Sequence, residues 1–425
     1  MTSASTVKPS FSVDAIRREF PVLQRDFGGK KLVYLDSACT ALKSAGVGEA
    51  AASFYRELGG CGGKRSTHLL AQAVEAELIK ARQAAADFLN AESANEIVFT
   101  SGTTEAVNLV ARAFPFDERR EVVLTDLEHN AVFLPFYEAA QRKEIELKIC
   151  RSKNGRVDPD ELAKLVGDKT ALVAITHASN VAGGVQPLAE IVRHAHGRGA
   201  RVLVDDAQFV ASHREDVQTL NADFVAFSAH KIGGPFGLGV LYGKEVELNR
   251  LRHYKVGGGV VKSVKWSGKG MPEVVYLDAP MRFEAGVSNF SAYPALTEAV
   301  RFLKTIPAAP LRAHISSLVK RAAEAIDEIP EVKVLGKADD LADGSLVSFY
   351  PVHKEFSVTD FNLYLNHELG DRFVAVRAGE HCAHLLHQSL KLDGTVRASF
   401  FAYNTADEVD LFVGALKSYA KEACS

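Results

Sequence analysis

The chain has 425 residues, of which 47% are hydrophobic and 24% are charged, and its formal net charge is −3. This composition is typical of a globular protein of two or three domains and does not indicate nucleic acid or an anionic membrane as a partner. No apolar run reaches the ~20 residues that a membrane helix needs, and the polar residues 1–10 do not resemble a secretory signal.

The five cysteines are few, odd in number and far apart in the sequence. No CxxC pair occurs, so we expect no zinc site built from paired thiolates and no other metal site. A reducing, cytoplasmic location fits this cysteine content best. One or more of the thiols are therefore candidates for chemistry rather than for structure.

Short β-branched runs alternate with helical patterns from about residue 95 onwards. The predicted strands are 97–100, 122–125, 172–176, 202–205, 224–228 and 239–242. The predicted helices are 104–112, 132–141, 158–166 and 188–196. This alternation requires crossover connections, so we predict an α/β fold with a mostly parallel sheet flanked by helices. Its ligand site should lie where strands end and helices begin.

The pattern changes after about residue 300 to that of a smaller α+β domain. It contains a helix at 311–326, a final helix at 407–417, and between them the segments 332–335, 346–350, 356–368, 373–376 and 395–400. We therefore predict three regions. They are an N-terminal arm packing on the small domain (1–30), a large ligand-binding domain (31–300) and a small C-terminal domain that carries Cys382 (301–425).

A buried strand runs directly into the polar turn Ser228-Ala229-His230-Lys231. A lysine at a strand end in a cleft is a candidate for Schiff-base formation, because burial lowers the pKa of its amine. A single lysine after a strand is more often a surface residue. Three further patterns upstream favour the functional interpretation.

Asp205 and Asp206 end another predicted strand, and one of these carboxylates can face a bound ring, because successive strand residues point to opposite faces. The alternative is a helix-capping aspartate. Thr103 and Thr104 begin a helix, where free N–H groups bind a phosphate or simply form a cap. His129 also follows a strand, either as a ring that stacks on a flat cofactor or as a polar loop residue.

In order and spacing, a series of motifs resembles the cofactor motifs of class V aminotransferase-like enzymes, which use pyridoxal 5′-phosphate (PLP). The motifs are Thr103-Thr104, Glu128-His129, Ser179-Asn180, Asp205-x-x-Gln208 and Ser228-x-His230-Lys231. Residues 283–286 (Phe-Glu-Ala-Gly) and the loop Arg377-x-Gly379-x-His381-Cys382-Ala383 resemble the group II (SUF-type) cysteine desulfurases and selenocysteine lyase-like proteins. The resemblance implies the PLP-dependent transferase fold type I and a homodimer.

The resemblance also implies cofactor-binding roles. Lys231 would hold PLP covalently and later move the substrate α-proton, and Asp205 would pair with the pyridine nitrogen. Gln208 would contact the ring oxygen, and His129 would stack on the ring as a further catalytic residue. The phosphate would be bound by Thr103, Thr104, Ser228 and His230.

On the substrate side, the resemblance implies that Asn180 and Arg397 bind the substrate carboxylate and that Arg377 lies near the substrate. Cys382 would accept sulfur from L-cysteine, or selenium from selenocysteine, to give a persulfide and alanine. A sulfur-acceptor protein would then take this sulfur from Cys382. Arg377 and His381, which both precede Cys382 closely in sequence, could lower the pKa of its thiol. The alternative for Cys382 is a small buried hydrophobe.

Several positions depart from the pattern of the group. Glu380 stands where a second histidine is usual, and its charge should raise the pKa of the neighbouring thiol. Asp206 replaces a glycine beside the cofactor strand, and Val287-Ser288 replaces a Thr-Pro pair that reaches the phosphate of the neighbouring subunit.

Other functions compatible with the sequence are a direct C–S lyase, an aminotransferase or an epimerase of the same superfamily, and a non-catalytic subunit with the same fold.

Overall fold

The computed structural model describes residues 11–63 and 66–424. Its strands are β1 (Lys31–Tyr34), β2 (Ile97–Thr100), β3 (Glu121–Thr125), β4 (Glu146–Cys150), β5 (Thr170–Thr176), β6 (Arg201–Asp205), β7 (Phe224–Ser228), β8 (Gly239–Gly243), β9 (Val261–Lys265), β10 (Glu273–Tyr276), β11 (Val332–Val334), β12 (Leu346–Pro351), β13 (Arg372–Ala375), β14 (Arg377–Gly379) and β15 (Thr395–Ser399).

Its helices are α1 (Val13–Arg18), α2 (Ala45–Ser53), α3 (Leu69–Leu89), α4 (Thr103–Ala113), α5 (Asn130–Gln141), α6 (Pro159–Leu165), α7 (Leu188–Gly197), α8 (Val217–Leu220), α9 (Glu245–Arg250), α10 (Ala292–Thr305), α11 (Ala308–Asp327), α12 (Ala338–Leu341), α13 (Val358–His367), α14 (His384–Leu390) and α15 (Ala406–Ala423). None of these helices is both long and apolar enough to cross a bilayer.

A seven-stranded sheet lies at the centre of the larger part of the molecule, in the order β2-β8-β7-β6-β5-β3-β4. Only β8 runs antiparallel to its neighbours in this sheet, and the remaining pairs are parallel. Every residue of β2, β3, β5, β7 and β8 is buried, as expected of a sheet covered by helices on both faces. The predicted α/β fold with a mostly parallel sheet is therefore confirmed.

A second, antiparallel sheet of four strands lies in the C-terminal part, in the order β11-β12-β15-β14. Helices α11, α13 and α15 pack around it. Phe349, Phe361 and Phe412 form its apolar centre, with ring centroids 6.2–6.4 Å apart. This part of the chain has the α+β character that the sequence predicts beyond residue 300.

The N-terminal segment contacts the C-terminal part at several points. Arg17 Nη1 donates to Tyr403 O and pairs with Glu408 at 2.8 Å. Strand β1 pairs in parallel with β13, and Asp36 forms a bridge with Ser399. We therefore propose that the segment associated with the small domain extends through Asp36, rather than ending at residue 30.

Several elements differ from the prediction. The segment 373–376, expected within the small domain, is β13 and pairs with β1 instead of joining the four-stranded sheet. Strand β4 was not predicted, because it lies at the sheet edge and buries only its last residue fully. The hairpin of β9 and β10 was also not predicted, because it exposes most of its residues and so shows no buried alternation. Helices α2, α3 and α10 were not predicted either.

Candidate active site

A cavity of about 290 Å³ opens where the strands of the large sheet end and the small domain approaches. All the residues predicted as site residues line it. They are Thr103, Thr104, His129, Asn180, Asp205, Gln208, Ser228, His230, Lys231, Arg377, Cys382 and Arg397. The parallel topology explains this convergence, because it brings the carboxyl ends of several strands to one edge.

Lys231 lies on a single 3₁₀ turn (Ala229–Ile232) that follows β7, and Asp205 is the last residue of the neighbouring β6. Burial lowers the pKa of Lys231, and the charge of Asp205 partly offsets this effect. Burial likewise raises the pKa of Asp205, against the effect of Lys231. The lysine amine is therefore easier to deprotonate than an exposed one, as a nucleophilic amine requires.

One end of the cavity is formed by the first turn of α4. The backbone N–H of Thr103 donates to Ser228 Oγ at 2.8 Å, and the two hydroxyl groups are also 2.8 Å apart. The turn approaches β8 so closely that a Cβ added to Gly239 would lie 2.4 Å from Gly102 Cα. His230 Nδ1 is buried there without a hydrogen-bond partner among the described residues. A helix N-terminus with hydroxyl groups and a free imidazole nitrogen is suited to a phosphate.

His129 caps the N-terminus of α5, and its Nδ1 accepts a hydrogen bond from Ala131 N at 3.0 Å. Burial and the positive charges of Lys231 and Arg397 lower the pKa of His129 to about 4. The imidazole is therefore neutral near pH 7, with its proton on Nε2. A neutral ring is compatible with stacking on a flat heteroaromatic group.

Gln208 is fixed by the loop that follows β1. Its Nε2 donates to Ala38 O at 2.9 Å, which uses one of the two amide protons and leaves the other available. Ala38 and Cys39 of this loop line the cavity as well. The N-terminal segment thus contributes to the site, which the sequence did not indicate.

The two predicted substrate arginines share a carboxylate partner. Arg377 pairs with Asp36 at 2.9 Å, and the buried Arg397 pairs with the same carboxylate at 3.3 Å. Arg397 Nη1 also donates to Asn180 O at 2.9 Å. Arg397 Nε has no partner among the described residues, so a buried donor remains free to bind a carboxylate.

Cys382 lies on an exposed loop between β14 and α14, and both it and His381 have left-handed backbone angles, with φ of 57° and 49°. The large domain holds this loop at two points. Asn130 N donates to Cys382 O at 2.7 Å, and Asn180 Nδ2 donates to His381 O at 2.8 Å. Left-handed conformations of non-glycine residues are costly, so these bonds are needed to keep the thiol at the cavity.

The expected effect of His381 on the thiol needs correction. Burial, together with the charge of Arg397, lowers the pKa of His381 to about 3, and its Nε2 lies 3.0 Å from Thr395 O. His381 is therefore neutral and supplies no positive charge. Arg377 pairs with Asp36, a carboxylate that it shares with Arg397. The carboxylate of Glu380, whose charge was expected to raise the pKa of the thiol, lies 3.2 Å from His384 Nε2.

Two residues of the site were not identified from the sequence. Asp36 joins the two arginines although it lies 341 residues before Arg377, and Cys39 places a second thiol in the cavity. Neither residue belongs to the motifs from which the site was predicted.

The residues of the cavity fit PLP. The α4 turn with Ser228 and His230 offers donors for the phosphate, Asp205 offers a buried carboxylate for the pyridine nitrogen, and Lys231 offers an amine for the aldehyde. His230 Nδ1 is buried without a partner among the described residues, so a proton on this nitrogen would be available to an anion. Fold and site together define a PLP-dependent enzyme of fold type I.

Comparison with known proteins agrees with this class and identifies a narrower family within it. The aminotransferase class-V profile matches residues 33–412, and the chain belongs to this family. A probable cysteine desulfurase from Halobacterium salinarum is 37% identical over 418 residues, with 97% of each chain covered. A cysteine desulfurase from Serratia proteamaculans is 35% identical over 419 residues, covering 97% of this chain and 99% of the relative.

Solved structures show the same relationship. The cysteine desulfurase CsdA from Escherichia coli has a TM-score of 0.86 and 33% identity, covering 97% of this chain and 100% of that structure. An apo cysteine desulfurase from Thermococcus onnurineus has the same TM-score and 30% identity, covering 99% and 100%. The family resemblance predicted from the sequence motifs is therefore confirmed.

Proposed function

We propose that this chain is a cysteine desulfurase that removes sulfur from L-cysteine and leaves alanine and a persulfide on Cys382. The position of Cys382 carries the proposal, because this residue lines the same cavity as Lys231. It also lines an adjoining outer groove of about 380 Å³. A thiol between the two spaces is open to substrate on one side and to an acceptor on the other.

Each residue of the cavity has a distinct part in this proposal. When bound, PLP supplies an electron sink for bond breaking at the substrate. Lys231 holds the cofactor and, because burial lowers its pKa, moves the substrate α-proton. Arg397 Nε binds the substrate carboxylate, and the neutral His129 covers the cofactor ring.

The sulfur step takes place at Cys382. Its thiolate attacks the sulfur of the substrate, a new S–S bond forms, and the electron pair of the broken Cβ–S bond remains with the substrate carbon. That carbon takes up a proton, so cysteine and one enzyme thiol become alanine and one enzyme persulfide. Cys382 itself is exposed, as a thiol that passes sulfur onward must be.

Mass spectrometry of the holoenzyme after incubation with cysteine tests the proposal. We expect Cys382 to gain the mass of one sulfur atom while alanine appears in equal amount. Cys382→Ser should lose both products, and Cys61→Ser, which removes an exposed thiol outside the cavity, should lose neither. If Cys382→Ser still releases sulfide at the native rate, the chain is a direct C–S lyase instead.

A second experiment tests the covalent link to the cofactor. Borohydride reduction of the fresh holoenzyme should fix a pyridoxyl group on Lys231, and Lys231→Ala should abolish both this label and turnover. A native protein that takes up no PLP would identify a non-catalytic member of the family.

We also propose that the enzyme is a homodimer. The β9–β10 hairpin region exposes Val264, Trp266 and Met271, which are 59%, 67% and 93% exposed, and Val287 nearby in sequence is 82% exposed. Apolar side chains of this size are costly to leave in water together. Light scattering of the holoenzyme should give twice the chain mass, and Trp266→Glu should shift it toward the monomer. A monomeric native protein would contradict the proposal.

The outer groove supports transfer of sulfur to an acceptor protein. Leu134 in its wall is 46% exposed, and Arg112 and Arg142 lie beside it. Leu134→Glu should slow discharge of the persulfide by a protein thiol but not by dithiothreitol; equal effects on both would contradict a protein-docking role. A cytoplasmic location is proposed from the cysteine content and is tested by cell fractionation.

A further inference from the structure

A buried cluster of three ionisable side chains lies behind the cofactor cavity and is not part of it. His177 follows β5, Asp206 follows β6, and Glu215 lies in the loop before α8. Their exposed fractions are 7%, 0% and 6%. The cavity that contains Lys231 is lined by Asp205 but by none of these three residues. The mechanism proposed above therefore gives them no role.

The three side chains converge on one point. His177 Nδ1 lies 2.8 Å from Asp206 Oδ1 and 2.8 Å from Glu215 Oε2, and one ligand atom from each residue lies within 4.8 Å of the other two. Phe209 stacks on the imidazole at 3.5 Å and fixes its plane. The convergence is thus built by packing and is not a chance approach of flexible side chains.

The hydrogen bonds within the cluster are incomplete. Asp206 Oδ2 and Glu215 Oε2 are buried and have no well-aligned hydrogen-bond donor among the described residues, although Glu215 Oε2 lies 2.8 Å from His177 Nδ1. A single Nδ1–H can serve only one of the two carboxylates well. Buried carboxylate oxygens without a donor are rare in native proteins, and they indicate an ion or a water that satisfies them.

The charges of the cluster are also unbalanced. No lysine or arginine within residues 11–63 and 66–424 forms an ion pair with Asp206 or Glu215, and His177 is their one basic partner. With both carboxyls ionised, the cluster would carry an excess negative charge, which is expensive in a low-dielectric environment. Without a cation, protons must relieve this charge, and burial and the neighbouring Glu215 accordingly raise the pKa of Asp206 well above its usual range. A divalent cation would balance this charge and fill the missing contacts.

We propose that His177, Asp206 and Glu215 bind a divalent first-row cation. Ligands 2.1 Å from an octahedral ion lie about 3.0 Å apart, whereas those around a tetrahedral ion lie about 3.4 Å apart. The observed 2.8 Å separations are closer to the octahedral value. One nitrogen and carboxylate oxygens in this geometry favour Mn²⁺ or Fe²⁺.

The site is structural and depends on this chain's own residues. His177 N donates to Asp205 O at 2.9 Å, and Asp206 is the next residue along the chain. A cation here would join the ends of β5 and β6 directly behind the carboxylate assigned to the pyridine nitrogen.

Metal binding can be tested on the holoenzyme without reference to turnover. After treatment with a chelator, the protein is titrated with Mn²⁺ and followed by electron paramagnetic resonance. We expect one Mn²⁺ per chain, with a pulsed spectrum that contains the modulation of a coordinated imidazole nitrogen. The absence of bound Mn²⁺, or of that nitrogen signal in the native protein, would overturn the proposal.

Matched variants locate the ion. Asp206→Asn and Glu215→Gln keep the shape of each side chain and should weaken Mn²⁺ binding by at least about tenfold. Asp168→Asn removes a carboxylate whose side chain is 91% exposed and should leave binding unchanged. Unchanged Mn²⁺ binding in both ligand variants would place the ion elsewhere and overturn the proposal. If these variants fail to fold, the nitrogen signal of the native protein still tests whether an imidazole coordinates the bound Mn²⁺.

Discussion

The substitution His381→Asn tests the description of the cysteine loop. His381 has a left-handed φ of 49°, and its Nε2 lies 3.0 Å from both the carbonyl and the hydroxyl oxygen of Thr395. Burial, reinforced by the positive charge of Arg397, lowers the pKa of His381 from 6.5 to about 3. Asparagine tolerates the left-handed region and does not titrate, so the variant removes the imidazole with little backbone strain.

The direction and size of the effect follow from proton linkage. As the pH falls below 6.5, the unfolded imidazole takes up a proton, whereas the folded one stays neutral until about pH 3. The native state therefore loses stability between these values. One pKa unit corresponds to about 1.4 kcal/mol, so His381 alone should lower the free energy of unfolding by about 2 kcal/mol between pH 8 and pH 5.

Guanidinium unfolding of the native and variant holoenzymes at several pH values between 5 and 8 measures this difference. Between pH 8 and pH 5, the free energy of unfolding of the native protein should fall by about 2 kcal/mol more than that of His381→Asn. His367→Asn, which replaces an exposed histidine, is the matched control and should follow the native curve. Parallel curves for the native protein and His381→Asn would refute the assignment of a buried, neutral imidazole beside Cys382.

Three further substitutions test other parts of the molecule. Arg82→Met leaves Glu284, 2.7 Å from Arg82 and 9% exposed, as an unpaired buried carboxylate. The free energy of unfolding in guanidinium should fall by about 3–5 kcal/mol. Gly239→Ala forces the α4 turn away from β8 at Gly102, so PLP retention, followed by absorbance during dialysis, should weaken at least about tenfold. Burial raises the pKa of Glu128 to about 8. The native state therefore loses stability as the pH rises from 4.5 towards 8, and the free energy of unfolding of Glu128→Gln should exceed that of the native protein by about 4 kcal/mol at pH 8 but match it at pH 4.

Controls separate these effects from general damage. Gly48→Ala adds a Cβ in open space within α2, so it should keep PLP as the native protein does. Adding Glu284→Gln to Arg82→Met should recover part of the lost stability, because the unpaired charge is removed. A pH-independent effect of Glu128→Gln would contradict a protonated Glu128 at neutral pH.

The central strands could be predicted because each is a short, fully buried run of apolar and β-branched residues. The predicted segments 97–100 and 224–228 coincide with β2 and β7, and the others differ by a few residues. The alternation with helices then determined the parallel topology. Strand β4 could not be predicted in this way, because only Cys150 is fully buried and charged residues interrupt the apolar run.

The positions of single charges relative to one another could not be predicted in the same way. Nothing in the sequence near Asp36 indicates that it pairs with Arg377 and Arg397, because these contacts depend on how β1 meets the small domain. His177 and Glu215 likewise meet Asp206 only after β5 and β6 have paired. Motif spacing identifies residues that follow a strand, but not the long-range partners that determine their charge.

One residue of the large domain links the two functional parts of the small domain. The backbone oxygen of Asn180 accepts from Arg397 at 2.9 Å, and its side chain donates to the carbonyl of His381 at 2.8 Å, next to Cys382. A shift of the small domain that releases one of these bonds must therefore strain the other. Because both bonds start from the turn after β5, Arg397 and Cys382, which are proposed to bind the substrate carboxylate and to take its sulfur, keep a fixed separation. The proposed reaction needs this fixed separation, since the carboxylate and the sulfur belong to one small molecule.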